Sequence, residues 1–125
     1  MLPMTRLKEN KARERRIEME VVVDAYNALE RAMGWYYYLE ERLKFPFKAR
    51  CRSKREISPL HVGKEVEVVG MAAEKECESE MFVRLRWRGA KLAVPLSQLE
   101  PLAAKPETKE AVADWHYWVS RGYEF

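Results

Sequence analysis

The chain has 125 residues, of which 34% are charged and 47% are hydrophobic. This length and composition predict one globular domain over residues 1–125, with a charged N-terminal extension at residues 1–16. The formal net charge of +3 does not by itself imply a nucleic-acid partner. No apolar run reaches the ~18 residues of a membrane span, and the amino terminus lacks the apolar region of a signal peptide. With only two cysteines, we expect no disulfide framework and a reducing, cytoplasmic location.

Two helices are predicted in the first third of the chain. One is favoured within residues 5–23, where charges of both signs alternate as on a solvated helix. The second is expected from residue 28 to about residue 43. Asn27 can cap its start, with Glu30 at the acidic position of a capping box. Pro46 ends it, because proline forces the preceding residue into extended conformations.

Four aromatic residues, Trp35–Tyr38, follow one another in this second helix. The first ring shares a helical face with Leu39 and is predicted to face a core. Tyr37 and Tyr38 fall near the edges of that face, where a ring packs while its hydroxyl reaches water. Glycine costs about 1 kcal/mol inside a helix, so Gly34 indicates close packing against another element. We interpret the run as the anchor of a small core rather than as an exposed partner surface.

From residue 47 the hydrophobic period changes to two, which predicts strands. Alternation in FKARC, VGKEVEVVGMA and EMFVRLRW, followed by the apolar LAVPL, predicts four short antiparallel strands. The next stretch, SQLEPL, is expected to form a tight turn. A last helix is predicted near residues 106–120, with Pro106 in its first turn and Gly122 at its end. The predicted fold class is α+β, with a small curved antiparallel sheet (an SH3-like barrel) flanked by N-terminal and C-terminal helices.

No catalytic arrangement is apparent, so we expect a protein that is not an enzyme. His61 stands alone after a turn, and His116 is predicted to pack or to lie on a helix surface. Cys51 is expected to face inward and Cys77 to be exposed. Neither cysteine has a histidine or cysteine partner at metal-binding spacing.

Two of the predicted strands carry basic side chains on their polar face. If those strands are neighbours, the cations could bind phosphate beside an aromatic face, as in a nucleic-acid module. Glu65 and Glu67 on a third strand can pair with them, however, and a polar outer face is usual for a half-buried sheet. The pattern therefore argues against a nucleic-acid partner. The residues concerned are Lys48, Arg50, Arg52, Arg84, Arg86 and Arg88.

The sequence resembles a bacterial calcium-binding family typified by a cyanobacterial protein. The resemblance is carried by VVVDAYNALERAMGWYYYLEERLKFPFKARC, ISPLHVGKEVEVVGMA, EMFVRLRW, VPLSQLEPL and DWHYW…GYEF, over roughly residues 17–125. It implies a small cytoplasmic α+β protein that binds calcium through surface carboxylates and without an EF-hand. A protein partner is a further expectation, and no membrane association is expected.

One departure from this family bears on affinity. Relatives are usually acidic at consecutive positions after Asp24-Ala25-Tyr26, whereas here only Glu30 remains. Calcium takes roughly 6–8 oxygen ligands, several of them anionic, so we expect weak binding, about 10⁻⁴ M or weaker. The alternative is that the residues at this helix start only cap the helix. The candidate ligands are Asp24, Asn27 and Glu30, helped by Glu40, Glu41 or Asp114.

A second acidic cluster alternates along EKECESE. It lacks the glycine and the terminal bidentate glutamate of an EF-hand, and a solvated hairpin tip is the favoured interpretation. Its members are Glu74, Glu76, Glu78 and Glu80. Two functions remain open from the sequence: calcium binding, or an SH3-like interaction or nucleic-acid-binding module that has lost calcium binding.

Overall fold

The computed structural model describes residues 9–122 and 125, and all structural statements below concern these residues. They form three α-helices, α1 (Lys11–Arg16), α2 (Ala28–Arg42) and α3 (Pro106–Ser120). Five strands are β1 (Phe47–Cys51), β2 (Glu65–Met71), β3 (Phe82–Trp87), β4 (Ala90–Pro95) and β5 (Leu99–Ala103). A π-helical turn (Ile17–Val21) follows α1, and 3₁₀ turns lie at Glu74–Cys77 and Leu96–Gln98. None of the described helices is long and apolar enough to cross a membrane.

The helices confirm most of the sequence prediction. α2 starts at the predicted cap, and α3 covers the predicted residues with Gly122 in the left-handed conformation after its end (φ 80°). The first helix differs, because a regular α-helix is limited to Lys11–Arg16 and gives way to a π-helical turn. Residues 5–8 of that predicted helix lie outside the described part of the chain.

The strands form one antiparallel sheet in the order β4-β3-β2-β1-β5. The fold class α+β is confirmed, but the sheet does not close into a barrel, because β4 and β5 are the two edges and do not pair. The turn expected at SQLEPL is wrong beyond its 3₁₀ part, since Leu99–Ala103 is a fifth strand. Pro101 obscured it in the sequence. An edge strand tolerates a proline, because one side of its backbone needs no ladder partner.

The core lies between the inner face of this sheet and the helices α2 and α3. Trp35 and Trp115 meet there edge to face, with ring centroids 5.0 Å apart. Within the aromatic run, Trp35, Tyr36 and Tyr38 are buried, whereas Tyr37 is 51% exposed. The run is therefore a core anchor, as predicted. The edge position predicted for Tyr38 is wrong, because its hydroxyl donates a hydrogen bond to a buried carboxylate instead of reaching water.

Gly34 marks the closest approach of two helical segments. A Cβ atom at this position would lie 2.3 Å from the carbonyl oxygen of Val21, in the π-helical turn. Real Cβ atoms do not approach backbone oxygens so closely, so only glycine fits without a backbone shift. The close packing predicted from this glycine is confirmed.

The two cysteines are both free and buried. Cys51 faces inward from β1, as predicted. The exposure predicted for Cys77 is wrong. Its sulfur lies beneath the 3₁₀ turn and accepts a hydrogen bond from the amide of Phe82 at 3.4 Å, and burial raises the pKa of its thiol.

Candidate calcium site

The first candidate site is the start of α2. The side-chain oxygen of Asn27 accepts a hydrogen bond from the amide of Glu30 at 2.8 Å. The Glu30 carboxylate in turn accepts a hydrogen bond from the backbone amide of Tyr26 at 2.7 Å. Asn27 thus caps the helix as predicted, whereas Glu30 bonds to the amide one residue before the cap and not to the Asn27 amide of a capping box. Asp24 is exposed in a left-handed conformation (φ 56°), and its carboxylate lies 3.5 Å from the Tyr26 hydroxyl.

The acids at the other end of α2 do not join this group. Glu40 lies ten residues after Glu30, which corresponds to about 15 Å along a helix axis. Glu41 lies one residue further on, and both side chains are exposed. The fold therefore separates two parts of the ligand set predicted from the sequence.

Glu40 instead lies one helical turn after Tyr36 and Tyr37, and Glu74 of the second acidic cluster acts on the same two tyrosines. The hydroxyl of Tyr37 donates a hydrogen bond to Glu74, and this bond, with an added contribution from the Glu40 charge, raises the pKa of Tyr37. Burial raises the pKa of Tyr36, and the Glu40 and Glu74 charges raise it further. Both tyrosines therefore experience the negative potential of these two carboxylates. One acid from each predicted set therefore acts on the same two tyrosines, an arrangement that no local sequence pattern indicates.

The rest of the second cluster is dispersed. Glu80 forms a two-pronged ion pair with Arg55, at 2.7 and 2.9 Å, and is partly buried. Glu76 lies 3.5 Å from Arg84, and Glu78 is exposed. The predicted solvent exposure is confirmed for Glu74, Glu76 and Glu78. Glu80, in contrast, is held in an ion pair with Arg55.

Asp114 has a different role from the other candidates. It is 0% exposed, and its two oxygens accept four hydrogen bonds. Arg13 donates one at 2.6 Å, Arg16 donates two at 2.7 and 3.1 Å, and Tyr38 donates one at 2.6 Å. Such a carboxylate is neutralised and enclosed, so it does not fit a calcium ligand. Arg13 and Arg16 lie three residues apart, on one face of α1, and this spacing is the sequence feature that indicates the cluster.

The described residues contain no group of three or more histidine, cysteine, aspartate or glutamate side chains that could hold a metal ion. What they offer are two pairs of surface carboxylates. Asp24 and Glu30 both bond to Tyr26, and Glu40 and Glu74 both act on Tyr36 and Tyr37. Calcium prefers more oxygens than a pair supplies, so water and backbone carbonyls would complete the shell. The donor chemistry fits calcium, and the number of charges fits a weak site.

Three of the six candidate basic side chains on the sheet, Arg50, Arg84 and Arg86, form ion pairs with glutamates. In the strand register, Lys48 faces Glu67, which faces Arg86, and the Arg86–Glu67 ion pair measures 2.8 Å. Arg50 faces Glu65, with 3.5 Å between their charged groups. The cross-strand pairing predicted from the sequence is confirmed. Of the remaining candidates, Arg84 pairs with Glu76, Arg52 donates to the carbonyl of Ser97 at 3.1 Å, and Arg88 lies in the β3–β4 turn.

His116 is a packing residue, as predicted. It is 8% exposed, and its ring nitrogen Nε2 lies 3.4 Å from the carbonyl oxygen of Leu96. Burial and the nearby Arg52 charge lower the pKa of His116 to about 4. A neutral, enclosed imidazole has no access to a substrate proton.

The five-stranded sheet covered by α2 and α3, with acidic side chains on its surface, defines a small α+β domain. Residues 15–119 match the model of the CcbP family, which is described as calcium binding. Anabaena CcbP, whose crystal structure is known, is 42% identical in sequence to this chain. The match covers 98% of this chain and 100% of that one, and the two structures superpose with a TM-score of 0.85. A second solved structure, of a calcium-binding protein in the calcium-binding form, is also 42% identical in sequence. The match covers 94% of this chain and 96% of that one, with a TM-score of 0.83. No curated protein matches. The chain belongs to the CcbP family of calcium-binding proteins.

Proposed function

We propose that this protein binds calcium weakly through paired surface carboxylates and works in the cytoplasm as a binding protein rather than as an enzyme. The observation that carries the proposal is its 42% identity, over 94% of the chain, to a protein whose structure is a calcium-binding form. Burial of His116 and of both cysteines supports the non-catalytic part, because these side chains cannot reach a substrate. The weakness follows from charge, since each candidate site has only two carboxylates.

Glu40 with Glu74 is the preferred site. The two acids impose a negative potential on the same tyrosine hydroxyls, and this potential would attract a divalent cation. Asp24 with Glu30 is less suited. Glu30 already bonds to a backbone amide, and the positive end of the α2 dipole repels a cation.

Calcium titration by calorimetry, with magnesium as the control ion, tests the function. We expect a dissociation constant of about 10⁻⁴ M or weaker. Absence of any calcium-dependent heat at millimolar calcium would contradict the proposal and leave the interaction-module alternative.

Charge-matched double variants test the site. Glu40→Gln/Glu74→Gln should abolish measurable binding, whereas Asp24→Asn/Glu30→Gln should weaken it only slightly through lost long-range attraction. Glu56→Gln/Glu100→Gln removes the same charge from exposed positions elsewhere and is the control. Equal affinities in the first double variant and the control would assign calcium to another part of the surface.

A further inference from the structure

A groove of about 370 Å³ opens at one end of the sheet, where β2 begins and β3 ends. Four cations and two carboxylates line it. Its walls come from three neighbouring strands, because the register aligns Lys48, Glu67 and Arg86 across β1, β2 and β3. This groove is separate from both candidate calcium sites, none of whose acids lines it.

Three of the lining cations are free to take an anion. Lys48, Lys64 and Arg88 form no ion pair within residues 9–122 and 125. The fourth, Arg86, is held by Glu67 at 2.8 Å. Lysine and arginine side chains at one end of a concave surface concentrate positive potential there, so the groove favours an anionic ligand.

Trp87 gives the groove an aromatic wall. The Lys64 ammonium lies 5.7 Å, and the Arg88 guanidinium 5.5 Å, from the centre of its ring. The indole is only partly buried, although it continues the inward-facing row of β3. Cations placed around a partly exposed aromatic ring suit a ligand that combines negative charge with a flat ring system.

Arg88 occupies an unusual backbone position. It has φ 49° and precedes Gly89 at φ 80°, in the tight turn that joins β3 to β4. Turns of this kind favour asparagine, aspartate or glycine at both central positions, because other side chains are strained there. The turn geometry therefore does not explain an arginine, whereas a role for its guanidinium beside Trp87 does.

We propose that this groove binds a nucleotide, with phosphates on Lys48, Lys64 and Arg88 and the base against Trp87. The volume lies within the range of small-molecule sites, about 300–1,000 Å³. Glu65 and Glu67 at the wall can accept hydrogen bonds from ribose hydroxyls or base amino groups. A single nucleotide fits better than a strand, because Arg50, Arg84 and Arg86 are paired with glutamates and leave no continuous cationic track.

Calorimetric titration with ATP, in low-salt buffer with EDTA to exclude calcium, tests the proposal. ATP should bind the parent protein, and Lys48→Gln/Lys64→Gln should weaken that binding about tenfold or more. Lys105→Gln/Lys109→Gln changes the same charge at exposed positions around the start of α3 and should leave the affinity unchanged. Calcium binding should be the same in both double variants, so this result is independent of the calcium proposal.

Two comparisons separate a nucleotide from other anions. ATP should bind more tightly than inorganic tripolyphosphate, and Trp87→Leu, checked for folding by circular dichroism, should remove that preference. Equal affinity for tripolyphosphate and ATP in the parent protein would overturn the nucleotide assignment. So would a thymidine oligonucleotide that binds far more tightly than ATP, or no heat with ATP at millimolar concentration.

Discussion

The hydroxyl of Tyr38 donates a 2.6 Å hydrogen bond to Oδ2 of Asp114, a carboxylate with no exposed surface. Burial, together with this carboxylate, raises the pKa of Tyr38, so the phenol remains a donor at any physiological pH. The same carboxylate raises the pKa of Arg16 through their hydrogen bonds. α1 buries none of its own side chains, and this cluster therefore ties it to α2 and α3.

Replacing Asp114 tests that role. Asp114→Asn keeps the shape but removes the charge, which leaves two partly buried arginines without their counter-ion. We expect a loss of about 3 kcal/mol in the free energy of unfolding, at the low end for a broken buried pair because the arginines are partly exposed. Calcium affinity should not change. Urea denaturation and calcium calorimetry measure the two effects.

Glu110→Gln is the matched control, because Glu110 is half exposed and lies 3.9 Å from Arg16. It should cost less than about 1 kcal/mol. A similar small loss in Asp114→Asn would contradict the structural role. A large drop in its calcium affinity would restore Asp114 as a ligand.

Gly34→Ala tests the contact between α2 and the π-helical turn. Alanine favours a helix by about 1 kcal/mol over glycine, yet here its Cβ would meet the Val21 carbonyl oxygen at 2.3 Å. Because the neighbour is backbone, the strain should win, with a net loss of about 1–3 kcal/mol. Denaturation of both proteins at one pH measures it.

Gly70→Ala makes the same chemical change where nothing lies within 4 Å of the added atom and φ is not positive. It should be neutral or slightly stabilising, because alanine restricts the unfolded chain more than glycine does. If the two alanine variants are equally stable, the close approach at Gly34 does not constrain the fold.

Local patterns carried most of the fold prediction. Helical and alternating spacing located α2, α3 and the first four strands, and the cap at Asn27 has the predicted geometry. The failures involve distant residues. Pairing with β1 makes a strand of Leu99–Ala103, and packing beneath a 3₁₀ turn buries Cys77.

Prediction of the candidate site succeeds for local interactions and fails for tertiary contacts in the same way. Capping by Asn27 was readable from its position at the start of the helix, three residues before Glu30. The placement of Glu74 beside Tyr37 was not, because it depends on how α2 packs on the turn at Glu74–Cys77. Sequence spacing alone cannot fix such tertiary contacts.

Trp87 and Trp115 differ in burial, although hydrophobic periodicity places both on inward faces. The two-residue alternation of β3 and the helical spacing of α3 both direct a tryptophan inward, yet Trp115 is 2% exposed and Trp87 is only partly buried at the groove. Trp115→Ala should cost about 3–5 kcal/mol, and Trp87→Ala clearly less, because fewer contacts are lost. Chemical denaturation of both variants decides the order. Equal losses would mean that Trp87 is as much a core residue as Trp115.

The buried imidazole of His116 makes stability depend on pH. Its pKa is lowered to about 4 in the folded protein and returns to the ordinary 6.5 on unfolding. Between those values the unfolded chain binds a proton that the folded protein does not. This group therefore leaves stability intact above pH 6.5 and reduces it as the pH falls toward 4, by at most about 3 kcal/mol.

Because carboxylates also titrate toward the acid end of this range, the informative quantity is the difference between parent and His116→Gln. Glutamine is uncharged at every pH, so the variant should lack the part of the decline that begins near pH 6.5. Urea denaturation in steps from pH 7.5 to pH 4.5 measures both curves. Whatever the offset at neutral pH, the stability of the parent relative to the variant should fall as the pH falls, because only the parent loses stability through this imidazole. Parallel curves over the whole range would show that His116 accepts its proton in the folded state.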